Sequence, residues 1–319
     1  MPVYIPKLAI IVPCYNEKEV LHHSDAILQS LLSKMIEERL VGDGSFILYV
    51  DDGSKDNTWQ LIKEAVGKNK TTVKGIKLAH NSGHQNALIA GLSAALDHCD
   101  AAITIDADLQ DDVYAIPKMV KEFLNGNEIV YGVRSNRESD TWFKRKSALA
   151  FYKTMKALGV ESVFNHADFR LMSRRAMEEL LKYKESNIFL RGVIPQIGLK
   201  NSLVEYDRRP RTAGESKYPL KKMINFAVEG ITSFSMKPVR MVFMLGMIFL
   251  VITLGIFIYT LIRYFTHETI EGWTSLMLSI WFCTGVILVA LGIIGEYVGK
   301  IFLEVKERPR FIIEEEEGF

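Results

Sequence analysis

Two long segments without charged residues constrain the fold of this chain most strongly. Residues 242–262 and 273–295 are apolar almost throughout. Each is long enough to cross the roughly 30 Å hydrocarbon core of a bilayer. A pair of buried core helices is the alternative, but soluble core helices seldom stay apolar over such a length. Because the connector 263–272 is short, the sequence predicts a hairpin of two transmembrane helices over residues 241–299.

The charges that flank this hairpin predict its orientation. Basic residues precede the first apolar segment and follow the second, namely Lys237, Arg240, Lys300, Lys306, Arg308 and Arg310. An excess of Lys and Arg marks the cytoplasmic side, so both termini are expected in the cytoplasm, at the inner (plasma) membrane. Residues 216–240 are expected to form an amphipathic helix in the membrane interface; a helix packed on the soluble domain is the alternative. Residues 300–319, with the acidic run 314–317, are predicted to be a solvated cytoplasmic tail.

Composition excludes several other classes of protein. Lys and Arg number 39 and Asp and Glu number 38, so the net charge predicts no particular partner, and no nucleic acid is expected. The cysteines Cys14, Cys99 and Cys283 are far apart and odd in number, which predicts neither a disulfide framework nor a cysteine zinc site. The N-terminal apolar run is short and ends at Pro13, unlike a signal peptide.

Strand and helix patterns alternate over residues 1–215. Short apolar runs occur at 8–12, 46–50, 73–78 and 101–105. The segments between them carry apolar residues at the spacing of an α-helix. This alternation predicts an α/β domain with a mostly parallel central sheet covered on both faces. Ligands of such sheets bind at the carboxyl ends of the strands, and three polar motifs follow predicted strands there, at 13–17, 51–54 and 106–110.

The motif at 106–110 predicts a metal site. Asp106 and Asp108 follow an apolar strand, and Gln110 comes two residues later. Alternation along an extended chain puts both carboxylates on the same side. Carboxylate and amide oxygens suit Mg²⁺ or Mn²⁺, ions that also hold diphosphates. A cation there can neutralise the charge that develops on a leaving nucleoside diphosphate. Two aspartates separated by one residue are common in loops, so this triplet alone is weak evidence. Its position after a buried strand is what favours a metal site.

The other strand-end motifs predict a nucleoside site. Asp52 can accept hydrogen bonds from a base or ribose, although Asp-Gly-Ser is also ordinary turn chemistry. Tyr15 can stack on a base and Glu17 can bind ribose. His84 begins a helix whose N-terminal amides can bind phosphate; a surface or capping histidine is the alternative. No P-loop and no G-x-G-x-x-G motif is present, which disfavours P-loop phosphoryl transfer and dinucleotide redox chemistry.

These motifs together resemble a known family. Pro13-Cys14-Tyr15-Asn16-Glu17, the Asp-Asp-Gly-Ser at 51–54, Asn81-x-Gly83, the motif at 106–110 and Asp-Phe-Arg-Leu at 168–171 occur in the order of the inverting family 2 glycosyltransferases. The stretches 214–218, 233–235 and 238–240, followed by two spans, are similar to the polyisoprenyl-phosphate glycosyltransferases of that family. The resemblance covers nearly the whole chain.

The resemblance implies a fold and a reaction. Residues 1–215 are expected to form a GT-A nucleotide-diphosphate-sugar-binding domain. The enzyme would transfer a hexose, with glucose from UDP-glucose favoured, to polyprenyl (undecaprenyl) phosphate with inversion. GDP-mannose or a modified pentose donor stays open. A homo-oligomer is also expected.

The resemblance also implies roles for individual residues. The nucleotide sugar would meet Pro13, Tyr15, Glu17, Asp52, Asp106 and Gln110, and the metal would be held by Asp106, Asp108 and Gln110. Asp168 matches the position proposed as the catalytic base, with Asp108 and Arg170 also placed in the reaction. Arg170 would also meet a phosphate of the donor or the acceptor, and the acceptor lipid phosphate would meet Arg211, Lys217 and Arg240.

Three alternatives remain at this point. The second pKa of a phosphate monoester is about 6, so the acceptor is already ionised at neutral pH. Asp168 can therefore serve as a base or orient Arg170 or the sugar. A processive polysaccharide synthase is disfavoured because the sequence lacks a Gln-x-x-Arg-Trp motif and predicts only two spans. A non-catalytic membrane scaffold is disfavoured because the acidic residues of the site are intact.

Overall fold

The computed structural model describes residues 4–134, 166–185, 188–207 and 272–319, together with isolated positions between 242 and 258. These residues form one eight-stranded sheet. Its strands are β1 (Leu8–Cys14), β2 (Phe46–Asp51), β3 (Val73–Leu78), β4 (Ala101–Thr104), β5 (Ile129–Arg134), β6 (His166–Ser173), β7 (Asn201–Tyr206) and β8 (Ile313–Glu317). The helices are α1 (Leu21–Glu37), α2 (Thr58–Lys68), α3 (His84–Ala95), a 3₁₀ turn (Val113–Ala115), α4 (Ile116–Leu124), α5 (Arg174–Leu181), α6 (Leu190–Gln196) and α7 (Trp273–Val305).

The order of the strands confirms the predicted α/β fold. Across the sheet the order is β7-β5-β6-β4-β1-β2-β3-β8. β1 pairs in parallel with β2 and β4, β2 pairs in parallel with β3, and β5 pairs in parallel with β7. β6 and β8 run antiparallel to their neighbours. The sheet is therefore mostly parallel, and the ends of β1, β2 and β4 meet at one edge.

Burial explains why the central strands form and how α3 lies on them. Every residue of β1 and β2 is buried, as expected for parallel strands covered on both faces. α3 packs closely on these strands through Gly91. A Cβ atom at that position would lie 2.5 Å from Ile11 Cγ2 and 2.9 Å from Val50 Cγ2. This close packing fixes α3, whose first residue is His84, against the sheet.

One helix among the described residues is long and apolar enough to cross a membrane. It is the part Phe282–Val305 of α7, with a mean hydropathy of 2.0. The segment is not buried, and its large apolar side chains are exposed, which disfavours the alternative of a buried core helix. α7 runs past the predicted end of the hairpin at residue 299 to Val305. The first predicted span and its connector lie almost entirely outside the described residues, so the two-span topology stays a prediction.

The expectation of a solvated tail is wrong for the last strand. β8 pairs with β3 at the edge of the sheet. Lys77 Nζ lies 2.7 Å from Glu314 Oε2, and Lys63 Nζ lies 2.5 Å from Glu315 Oε2. Trp59 Nε1 donates to the same Glu315 oxygen at 3.1 Å. The acidic run is ordered because lysines of β3 and α2 complement its charge, and a composition-based interpretation of the run alone misses those partners.

The described residues separate into two compact units. The first contains the whole sheet, including β8, and the second contains α7. The predicted domain boundaries at residues 215 and 240, and the predicted interfacial helix 216–240, lie outside the described residues.

Candidate active site

The loops that follow β1 and β2 are joined by hydrogen bonds. The Asp52 amide donates to the Cys14 carbonyl at 2.9 Å. The Asn16 amide donates to Ser54 Oγ at 2.9 Å, and Asn16 Oδ1 accepts from the Lys55 amide at 2.9 Å. The motifs predicted at 13–17 and 51–54 therefore lie side by side at the carboxyl edge of the sheet.

The three residues of the first motif that were predicted to meet a nucleoside differ in exposure. Pro13 is buried within β1, whereas the Tyr15 side chain is exposed. Glu17 is partly buried, and its amide donates to Thr58 Oγ1 at 2.9 Å. Tyr15 is thus accessible for stacking, and the contacts of all three with a nucleoside stay predictions.

Asp52 fixes the loop that leads into α3. Its Oδ1 accepts the Ser82 amide at 2.7 Å, and its Oδ2 accepts the Gly83 amide at 3.0 Å. Burial raises the pKa of this carboxyl, although both amide hydrogen bonds oppose the increase. Two amides of the loop that precedes α3 are therefore bound to Asp52. Gly53 has φ 64°, so the turn interpretation of Asp-Gly-Ser fits as well, and nucleoside binding by Asp52 stays a prediction.

The predicted metal loop follows β4 directly. The Leu109 amide donates to the Asp106 carbonyl at 3.1 Å, and the Gln110 amide donates to Asp108 Oδ1 at 3.2 Å. Ser24 Oγ of α1 donates to the Ala107 carbonyl at 2.6 Å, which holds the loop on α1. The Asp106 side chain is 46% exposed, whereas Gln110 is buried.

The donor atoms of this loop fit a divalent cation that is shared with a substrate. Among the residues described, no group of three or more His, Cys, Asp or Glu side chains forms a metal cage by itself. Mg²⁺ is usually bound by one or two carboxylates together with substrate phosphates. Although its side chain is partly exposed, desolvation of the Asp106 carboxyl by the surrounding protein raises its pKa to about 6. The charges of Asp168, Asp111 and Asp108 add to the increase, while His84 opposes it. A bound cation relieves such a concentration of negative charge.

Asp168 lies on β6, next to β4, and its carboxylate is surrounded by cationic groups. Arg191 Nη2 donates to Asp168 Oδ2 at 3.0 Å and Arg191 Nε donates to Oδ1 at 3.3 Å, while Arg170 makes a short ion pair with Oδ1. His84 Nε2 lies 3.7 Å from Asp168 Oδ2 and 3.6 Å from Asp106 Oδ1. Burial favours the neutral acid, but His84, Arg170 and Arg191 hold the pKa of Asp168 well below its usual range. A carboxylate with such a low pKa is a weak base.

Arg170 lies inside the domain. Its side chain is 1% exposed. Burial lowers the pKa of the guanidinium, and the charge of Asp168 opposes this. In this structure Arg170 contacts Asp168 and is covered from solvent, so contact with a phosphate stays a prediction.

A cluster of three side chains, Asp111, Arg134 and Tyr206, supports the metal loop. Asp111 Oδ1 accepts a hydrogen bond from the Tyr206 hydroxyl at 2.6 Å and from Arg134 Nη2 at 2.9 Å. Arg134 ends β5 and Tyr206 ends β7. Since Asp111 follows Gln110 directly, this cluster ties the metal loop to the ends of two further strands.

Sequence reasoning missed several of these contacts. Arg191 and Asp168 are 23 residues apart, and no spacing signal joins them. Asp111 directly follows the predicted metal motif, so the sequence showed a third acidic residue there. Its partners come from distant strands, and the sequence did not indicate them. His84 was considered only for phosphate binding or a surface position, and its place between two carboxylates was not foreseen. Arg211, Lys217 and Arg240 lie outside the described residues.

Comparisons with known proteins agree with this fold. The family described as "Glycosyl transferase family 2" matches residues 9–181, and "GtrB C-terminal hairpin" matches residues 237–301. An uncharacterized glycosyltransferase, YkoT, of Bacillus subtilis is 50% identical over 97% of this chain and 91% of its own length. The SfII prophage-derived bactoprenol glucosyl transferase of Shigella flexneri is 36% identical over 96% of this chain and 97% of its own length.

A solved structure completes the comparison. Glucosyl-3-phosphoglycerate synthase from Mycobacterium tuberculosis, in complex with phosphoglyceric acid, has a TM-score of 0.43 and 15% identity, over 72% of this chain and 79% of its own.

The α/β sheet with acidic residues at its carboxyl edge is a GT-A-like fold, and the chain belongs to glycosyl transferase family 2. Within that family it shares the GtrB C-terminal hairpin, and it is similar over nearly its full length to proteins named bactoprenol glucosyl transferase. The predicted resemblance is confirmed.

Proposed function

We propose that this chain transfers glucose from UDP-glucose to polyprenyl phosphate at the cytoplasmic face of a membrane, with inversion at the sugar carbon. The proposal is supported most directly by one observation. An accessible carboxylate, Asp106, lies in the loop after β4, near Asp168 of the neighbouring strand β6, and His84 lies between the two. Relatives named for bactoprenol as acceptor match the chain over both the sheet-containing region and the apolar C-terminal segment.

Asp106, Asp108 and the buried Gln110 are proposed to hold Mg²⁺ or Mn²⁺ together with the donor diphosphate. When bound, such a cation supplies Lewis-acid stabilisation of the departing nucleoside diphosphate. Ser24 keeps the loop against α1 through the Ala107 carbonyl, so both carboxylates are presented from a fixed backbone. Fixing the backbone in advance reduces the cost of ordering the site when the substrate binds.

The nucleophile in this proposal is a phosphate oxygen of the lipid. It forms a bond to the anomeric carbon of the sugar while the bond from that carbon to the diphosphate oxygen breaks. Because the second pKa of a phosphate monoester is about 6, the nucleophile is mostly ionised at neutral pH and needs no strong base. The pKa of Asp168 lies well below its usual range, so Asp168 is proposed to orient its cationic neighbours instead of removing a proton.

The remaining assignments complete the proposed complex. Tyr15, Glu17 and Asp52 are proposed to meet the nucleoside, beside Pro13 at the end of β1. The acceptor phosphate is proposed to meet the cationic residues Arg211, Lys217 and Arg240, and the enzyme is proposed to act as a homo-oligomer. The metal requirement is the part that the described residues allow to be tested most sharply.

The test measures formation of a lipid-linked sugar from labelled nucleotide sugars and undecaprenyl phosphate by the purified full chain. UDP-glucose is expected to be the donor, with GDP-mannose as the competing arm. Chelator is expected to abolish transfer and added Mn²⁺ to restore it. Asp108→Asn is expected to lower the rate by about 100-fold or more, in the range that follows removal of an electrostatic group at a developing charge.

Asp97→Asn is the matched control, because Asp97 is exposed and pairs with Arg174 outside the site. It is expected to retain the wild-type rate. Transfer that survives both chelator and Asp108→Asn would refute the metal assignment, and absence of any lipid-linked product from the wild type would refute the reaction.

A further inference from the structure

Arg191 is held at two points beside the proposed reaction centre. Its backbone is fixed through its neighbour, because the Leu190 amide donates to Gln85 Oε1 at 2.8 Å. Gln85 follows His84 at the start of α3. The Arg191 side chain is fixed by Asp168, which accepts from both Nε and Nη2. A guanidinium held at both ends loses little conformational entropy when it binds a ligand.

The charges around Asp168 favour an anionic ligand. One carboxylate contacts two guanidinium groups, those of Arg170 and Arg191, and both groups stay charged at all physiological pH values. These three side chains together carry a formal charge of plus one. Arg170 is 1% exposed, whereas the Arg191 side chain is 38% exposed. The positive charge of the group therefore reaches solvent through Arg191.

The position of Arg191 brings this charge to the metal loop. Asp106, His84, Asp168 and Arg191 form a continuous series of contacts, each between 3.0 and 3.7 Å. A planar guanidinium binds phosphate oxygens in pairs, which a point charge does not. Arg191 combines solvent access, a fixed orientation and this proximity.

We propose that Arg191 is a substrate-phosphate ligand and that Asp168 is the residue that orients it. The proposal rests on the proposed function, in which both substrates carry phosphate: a diphosphate on the donor and a monoester on the lipid. Either source has the chemistry that Arg191 recognises, and kinetics with each substrate varied in turn distinguish them. A purely structural ion pair between Arg191 and Asp168 is the competing explanation.

The test compares Arg191→Ala and Arg191→Lys with Arg175→Ala in the purified full chain. Arg175 is the matched control: its side chain is 66% exposed and it pairs with Glu128 at 3.8 Å, away from Asp168. Arg191→Ala is expected to lower kcat/KM by about 10- to 100-fold, the loss expected for one charge-assisted hydrogen-bonded contact. Arg191→Lys is expected to recover only part of the loss, because lysine keeps the charge but not the fork. Arg175→Ala is expected to keep the wild-type values.

A rise in the KM of only one substrate in the Arg191 variants would support the proposal. If the KM of the lipid phosphate rises, Arg191 binds the acceptor; if the KM of the nucleotide sugar rises, it binds the donor diphosphate. A fall in kcat with both KM values within about twofold of the wild type would instead indicate a structural role and overturn the proposal.

Direct binding separates this proposal from the proposed function. Thermal shifts of each variant are measured with UDP plus Mn²⁺ and, separately, with farnesyl phosphate, since a ligand that binds the folded state raises the melting temperature. Arg191→Lys serves here if Arg191→Ala does not fold. If the wild type binds a phosphate ligand and the Arg191 variants do not, but the wild type transfers no sugar, the proposed reaction is refuted and the role of Arg191 is supported. Equal shifts in the wild type and the Arg191 variants refute the role of Arg191.

Discussion

The hydrogen bond between Tyr206 and Asp111 provides a quantitative test of how the metal loop is supported. The hydroxyl lies 2.6 Å from Asp111 Oδ1, and both side chains are buried. Burial and then the charge of Asp111 raise the pKa of Tyr206 well above its ordinary value, so the phenol stays a donor. Tyr206→Phe removes this donor and keeps the ring, which packs edge to face on Phe169 with centroids 5.2 Å apart. The substitution therefore removes the hydrogen bond to the buried carboxylate, together with the longer one, 3.4 Å, that the hydroxyl accepts from Arg134 Nε.

A hydrogen bond to a charged group contributes about 1.5–3 kcal/mol to stability. Because about 1 kcal/mol shifts the melting temperature of a domain of 150–250 residues by about 2–4 °C, Tyr206→Phe is expected to lower it by roughly 3–12 °C. The change should also raise the Mn²⁺ concentration that gives half-maximal transfer, since Asp111 follows the metal loop directly. The measurement is thermal unfolding of the detergent-solubilised chain, with a metal titration of activity alongside it.

Tyr4→Phe is the matched control, because Tyr4 also hydrogen-bonds an aspartate, Asp100, but is 60% exposed. A surface substitution of this kind is expected to change stability by less than about 0.5 kcal/mol. If Tyr206→Phe melts at the wild-type temperature, or if both variants lose the same amount, the reasoning about the buried cluster is wrong.

Three further predictions follow from the described contacts. Gly91→Ala is expected to destabilise the chain by about 1–3 kcal/mol, because its Cβ would lie 2.5 Å from Ile11 Cγ2. Gly67→Ala is the control: its Cβ would meet no neighbouring atom within 4 Å, so it should stabilise the chain by about 0.4–1 kcal/mol. Equal effects of the two substitutions in chemical denaturation would contradict the packing of α3. Asp168→Asn is expected to cost about 3–5 kcal/mol at pH 7 by leaving Arg170 buried and unpaired. Because the folded pKa of Asp168 is depressed, that difference should persist at pH 5 and shrink as the pH falls below about 4, which a pH series of unfolding curves checks. Deletion of residues 312–319 should lower the melting temperature and promote aggregation by uncovering the edge of β3, and a monodisperse, equally stable truncation on size-exclusion chromatography would count against β8 as part of the fold.

The alternation of strands and helices could be predicted because it depends on local periodicity. Buried parallel strands are continuous apolar runs, and a polar motif after such a run lies at the ligand-binding edge. For that reason the loops containing Asn16, Asp52 and Asp106 were placed correctly from sequence. The family could be recognised for the same reason, since its motifs follow strands in a fixed order.

The contacts that join distant segments could not be predicted. Asp52 was offered to a nucleoside, but in the structure both of its oxygens bind amides of the loop before α3. Arg170 was offered to a phosphate, but it is buried against Asp168, with which it shares one side of β6. The ion pair between Arg191 and Asp168 depends on the tertiary placement of α6, for which the sequence carries no periodic signal. The acidic run at the C-terminus was misinterpreted because its lysine partners lie far away in the chain.

The pairing of β8 with β3 has a consequence for biosynthesis. Trp59 and Glu315, which touch in the folded protein, are 256 residues apart in the chain. At a translation rate of about 5–20 residues per second, the edge of β3 waits roughly 10–50 s for its partner. Throughout that interval the nascent domain exposes an unpaired strand edge, and the sheet closes only after β8 has been synthesised.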